Sequence, residues 1–157
     1  LITAPRDALE QSQCALLLWR KCGVRHTPQT RYVAKITPEG AMTWVVAFDG
    51  WIGKTAFIHV ARNDVEGVSN AVPRSFARAV FEYAFLQAGL QVVVGLVRGD
   101  EDHVLKLDKW LGFQEAMRLP GAHERGQDLV VMTMWRHQCR WLVADEVKDG
   151  QERTCSA

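Results

Sequence analysis

Net charge is almost absent from this chain: 19 Lys and Arg stand against 18 Asp and Glu, leaving +1 over 157 residues. That balance excludes a global field that would gather nucleic acid or an anionic membrane surface. Long apolar runs are missing too. None approaches the roughly 20 residues of a membrane-spanning helix, and the first residues carry no apolar stretch of a secretory signal. Cysteine is sparse. Cys14, Cys22, Cys139 and Cys155 show no C-x-x-C spacing and no His at ligand spacing, which argues against zinc and against a disulfide framework. A reducing cytoplasm is the expected setting. Repeats and low-complexity segments are absent as well.

What remains is ordinary globular material, 48% apolar and 24% charged, long enough for one sizeable core. A single domain is expected over residues 1–142. A charged, aperiodic tail is expected over 143–157.

Leu1-Ile2-Thr3 reads as a short strand. Asp7–Cys22 has helical periodicity, with Leu9, Leu16, Leu17 and Trp19 as its expected apolar face and Gly23 as its stop. Three strands are predicted next, Arg31–Thr37, Met42–Phe48 and Trp51–Ala61. Pro38-Glu39-Gly40 and Asp49-Gly50 are the expected turns of an antiparallel meander. After the irregular stretch N-D-V-E-G-V-S-N-A-V (Asn63–Val72), Pro73 is expected at the first position of a helix that stops at Gly89. Leu90–Arg98 is nearly all apolar, the pattern of a strand covered on both faces as in a parallel pair. Asp100 is placed to cap a helix carrying Val104, Leu107 and Leu111, which Gly112 ends. Phe113–Leu119 and Asp128–Trp135 are the last strands. The six tryptophans are expected mainly in the core and at strand edges. The order, β-α-β-β-β-α-β-α-β-β, describes a mixed α/β (α+β) sheet.

Within that order, V-V-V-G-L-V followed by a short loop and a helix ending W-L-G-F (Val92–Phe113) resembles the GNAT (Gcn5-related N-acetyltransferase) superfamily, over roughly Leu1 to Trp135. The resemblance implies two parallel strands that splay apart, here Trp51–Ala61 and Leu90–Arg98. The pantetheine arm of acetyl-CoA, or of another acyl-CoA, would pair in the gap like an added strand. It also implies a pyrophosphate held at the N-terminus of the following helix. Residue by residue, it places the backbone N–H of Val60 or Ala61 against the thioester carbonyl. Gly67, Val68 and Ser69 fall in the phosphate loop, where the family's Q/R-x-x-G-x-G/A reads D-V-E-G-V-S. Arg74 and Ser75 fall at the helix start. Asp108 occupies the position of a frequent Tyr acid, with an exposed helix carboxylate beside Lys109 as its bland alternative, and Glu101 occupies that of a frequent Asn.

Read from chemistry alone, His59 is the base candidate, lying late in the third meander strand with a side chain that titrates near neutral pH. Its bland alternative is a half-buried strand histidine bonded to a neighbour. His103 is a second donor near Asp108, Lys106 a more distant cation, and both also fit a plain helix surface. The expected function is an N-acyltransferase that moves acetyl from acyl-CoA to a primary amine, on a small molecule or a protein. Attack would be direct, since no cysteine holds an obvious nucleophile position. Two rivals stand beside it. One is a GNAT-like structural or interaction protein without catalysis, similar to some phage virion components. The other is Mom-type DNA base modification, which the near-zero net charge disfavours. No membrane partner is expected, and an oligomer is compatible with the sequence.

Overall fold

The computed structural model describes residues 1–142; the expected tail, with Cys155, lies outside the described residues. The elements run β1 (Ile2–Thr3), α1 (Ala8–Cys22), β2 (Arg31–Ile36), β3 (Met42–Ile52), β4 (Thr55–Arg62), α2 (Arg74–Glu82), β5 (Val92–Arg98), α3 (Asp102–Leu111), β6 (Gln114–Leu119) and β7 (Leu129–Trp135). They form one seven-stranded sheet in the order β1-β2-β3-β4-β5-β7-β6. Every neighbouring pair is antiparallel except β4–β5, which is parallel.

The sheet has two unequal faces. One packs on α2 and α3 through a large core that includes Phe48, Phe76, Phe81, Phe85, Val93, Met132 and Phe113. Phe113 follows Gly112, whose left-handed φ of +111° ends α3 abruptly and lets the chain re-enter the sheet. The other face is covered only over β2–β4, where Cys14 and Leu18 of α1 sit on Ala34, Val45, Ala47 and Ala61.

Several expectations are corrected. Asp49-Gly50 is not the hairpin turn. β3 continues through both residues to Ile52, and the chain reverses at Gly53-Lys54. The pairing register shifts between Asp49 and Ile52, so Asp49-Gly50 belongs to a bulge, with Gly50 at φ +56°. On α1 the buried residues are Cys14 and Leu18, whereas Leu9, Leu16 and Trp19 face outward. Pro73 caps α2 from outside its first turn, and the helix ends not in a simple Gly stop but in a π-helical segment, Tyr83–Gln87. Asp100 does not cap α3; its carboxylate pairs with Arg98, and Glu101 stands at the cap without a side-chain bond. β5 starts at Val92 and is not covered on both faces, because Leu96 is 46% exposed. Of the tryptophans only Trp44 is buried, while Trp19, Trp110 and Trp135 are exposed.

Candidate active site

β4 and β5 are both long enough to pair along their length, yet they are in register only at Thr55↔Val92, Ala56↔Val93 and Phe57↔Val94. Beyond Phe57 they part, and a cleft of about 630 Å³ opens between them. The direction of each backbone group on β4 follows from its antiparallel ladder with β3. Asn63 donates its N–H to the Thr43 carbonyl at 2.9 Å. With the register Val45↔Ala61 and Ala47↔His59, this alternation turns the N–H and C=O of Ala61, His59 and Phe57 toward β3. Those of Ile58, Val60 and Arg62 turn toward the gap. Lys54 confirms the parity at the closed end, where its carbonyl accepts from Gln91 at 2.9 Å. The Val60 carbonyl takes a bond from Cys22 Sγ at 3.3 Å. Its N–H is thus a donor aimed into the opening. Ala61 lines the cleft but turns its own N–H to β3.

Side chains from both faces of the sheet reach this opening. His59 pairs with Ala47 and therefore lies on the α1 face, where its Nε2 is 2.9 Å from Asp49 Oδ1. The carboxylate can only accept, so Nε2 carries the proton and Nδ1 of the neutral ring is left as an acceptor. The contact joins diagonal neighbours on one face, since Asp49 pairs with Phe57 and His59 with Ala47, and the bulge begins just beyond them at Gly50. Gly50 alone fits there, since a Cβ would come within 2.6 Å of Phe57 Cδ2. His59 is thus half-buried and bonded to a neighbour, as its bland alternative has it, and it also lines the cleft.

Asp108 enters from the opposite face. It projects from α3 toward β5, where a Cβ on Gly95 would lie 3.9 Å from its Oδ2. That distance is ordinary van der Waals contact, so the carboxyl packs directly over Gly95. Burial pushes Asp108 up from 3.8 to about 7, with no cation nearby to hold it ionised. An acid and a base candidate therefore line one cleft from opposite sides of the sheet.

The remaining expected residues are placed as follows. Gly67, Val68 and Ser69 lie in the β4–α2 connection, with Gly67 at φ +75° and Val68 N–H closing a turn on the Val65 carbonyl at 3.2 Å. They flank the cleft rather than line it, as do Arg74 and Ser75 in the first turn of α2. That turn holds no acidic residue, and Pro73 accepts the N–H of Phe76 and Ala77, which leaves the N–H groups of Arg74 and Ser75 outside the helical ladder. Asp64, in the loop before this end of α2, is paired with Lys21 and Arg62, and Glu66 in the same loop is exposed. His103 and Glu101 line the cleft, and Lys106 is exposed outside it.

Two lining residues carry no signal in the sequence. His123, on the β6–β7 loop, has a buried Nδ1 without a hydrogen-bond partner. Cys22 ends α1 beside Val60, and burial with the nearby Glu101 carboxylate raises its thiol. It remains a thiol donor to the Val60 carbonyl rather than a thiolate nucleophile. Only the folded arrangement brings either residue to the opening. Among the described residues no group of three or more His, Cys, Asp and Glu gathers as a metal site.

No protein-family model matches the chain. No curated protein sequence matches it either. Solved structures do. The spermidine/spermine N-acetyltransferase SpeG from Vibrio cholerae superposes with a TM-score of 0.68 at 15% identity, covering 86% of this chain and 91% of that one. A protein assigned as a phosphinothricin N-acetyltransferase gives 0.67 at 16% identity, covering 86% and 98%. At these identities the likeness is one of architecture, and the chain has the GNAT-like fold of these N-acetyltransferases.

Proposed function

We propose that this protein is an acyl-CoA-dependent N-acyltransferase that passes acetyl to a primary amine by direct attack. The observation that carries the reading is the parted β4–β5 pair, whose free Val60 N–H points into a cleft lined by His59 on one face and Asp108 on the other. Acetyl-CoA, when bound, supplies an acetyl group already activated as a thioester.

The residues present fit that group. The Ile58 carbonyl, the Val60 N–H and the gap-facing backbone of Arg62 suit the amides of an extended arm. The turn at Gly67–Ser69 and the N-terminus of α2, with Arg74 and Ser75, suit a pyrophosphate. The Val60 N–H is the kind of fixed donor that stabilises charge on a carbonyl oxygen. His59 Nδ1 takes a proton from the incoming ammonium, and Asp49 holds the ring in the tautomer that leaves Nδ1 free. Asp108 holds a proton near neutral pH and can release it to a departing sulfur. Cys22 has no covalent role.

Calorimetric titration with acetyl-CoA tests this reading. A micromolar dissociation constant is expected for the wild type, weakened at least about tenfold in Arg74→Glu, where a charge-assisted phosphate contact is reversed. No heat of binding up to millimolar acetyl-CoA would remove the transferase reading and leave a non-catalytic interaction protein.

A further inference from the structure

The open half of the sheet points to the acceptor. On the face opposite α2 and α3, register aligns Leu96 with Val131 and Val131 with Met117. The next row brings Leu129 beside Leu119. This face has no helix over it among the described residues, and Leu96, Met117 and Leu119 are 46%, 56% and 37% exposed. It is continuous with the cleft, because Leu96 and Leu129 line both. It is also the face on which His59 lies.

Each carboxylate around the opening already has a partner. Arg62 and Lys21 share Asp64, Arg98 is paired with Asp100 and with Glu101 at 3.6 Å, and Asp49 is bonded to His59. Asp108 is on the far side. A second or third ammonium brought to the mouth would have to displace one of these partners and would meet like charge on Lys21, Arg62 and Arg98.

We propose that the acceptor is a monoamine with an apolar body, which lies on the Leu96–Val131–Met117 face and presents its amine to His59, and that polyamines are poor acceptors. This rests on the transferase reading above and names the substrate class for that same site.

The test is acetyl-CoA-dependent thiol release by the full chain with 2-phenylethylamine or spermidine as acceptor. We expect kcat/KM at least about tenfold higher for 2-phenylethylamine, from burial of its ring. Leu96→Glu, an exposed substitution that the fold tolerates, should raise KM for 2-phenylethylamine about tenfold with little change in kcat. It should also narrow or reverse the preference. Spermidine favoured or equal in the wild type would overturn the inference while the transferase reading stands, as would an unchanged KM in Leu96→Glu. Acetyl-CoA binding without thiol release on either amine would also count against it. Failure of acetyl-CoA to bind at all is seen separately by calorimetry and removes both.

Discussion

Asp108 shows how one side chain can couple stability and chemistry. Its folded value, about 7, lies above the ordinary 3.8, so the folded chain holds this proton more tightly than the unfolded chain. The stabilisation is complete at acid pH and is lost as pH rises from about 4 through 7. Asp108→Asn should therefore be more stable than wild type at pH 8, by up to about 4 kcal/mol at about 1.4 kcal/mol per pKa unit, and equal to it near pH 4. Thermal melts across that range check the sign. In activity the same change should cost about 100-fold in kcat and remove the limb of the pH–rate profile near 7. At Val60 the relevant atom is a backbone hydrogen. Val60→Pro deletes an N–H that no neighbouring strand uses, so the sheet should survive, as judged by circular dichroism. Transfer should fall about 100-fold. His59, Val60 and Asp108 could be singled out from the sequence, one from its titration range and two from position in a familiar order. Their setting could not. The Asp49 contact depends on the pairing of β3 with β4, and the Asp108 shift depends on its burial between α3 and the sheet.

Elements were legible where periodicity and punctuation agreed. The order of strands and helices, the Gly23 and Gly112 stops and the break after Gly89 all follow from local chemistry. The sequence misleads where two turn signals compete. Asp49-Gly50 is the stronger hairpin dipeptide in isolation, but eleven residues of β3 continue through it because Gly53-Lys54 closes the hairpin instead. A similar competition decides α1, where a stripe through Leu9, Leu16 and Trp19 looks like a core face. The helix docks by its smaller side, with Cys14 and Leu18 against the alanines of β2–β4, which permit close approach. Two glycines make the element-scale account testable. Gly112→Ala should destabilise by about 1–2 kcal/mol in denaturant unfolding, because it forces a side chain into a left-handed cap and places Cβ 3.1 Å from Met134 Cε. Gly50→Ala should cost at least as much through its clash with Phe57. It should also lower activity by shifting Asp49 away from His59.

At the scale of the whole molecule, the parallel pair divides the sheet into two arms that a single core on the α2–α3 side holds together. Ligand in the gap bridges the arms, so saturating acetyl-CoA should raise thermal stability. At about 100 times the dissociation constant the gain is roughly 2.7 kcal/mol, or a melting temperature higher by about 5–10 °C for a chain of this size. Thermal shift in the presence of desulfo-CoA should show the same rise, since no chemistry is required. The opening is lined from both faces of the sheet, by Asp108 on one and His59 on the other. A site built in this way has a kinetic signature. Two reactants seated on different faces can be resident together, and neither must leave before the other enters. Initial-rate plots against one reactant at fixed levels of the other should then intersect. Parallel lines would mean that the acyl group waits on the protein between visits, and Cys22 would be the first residue to examine.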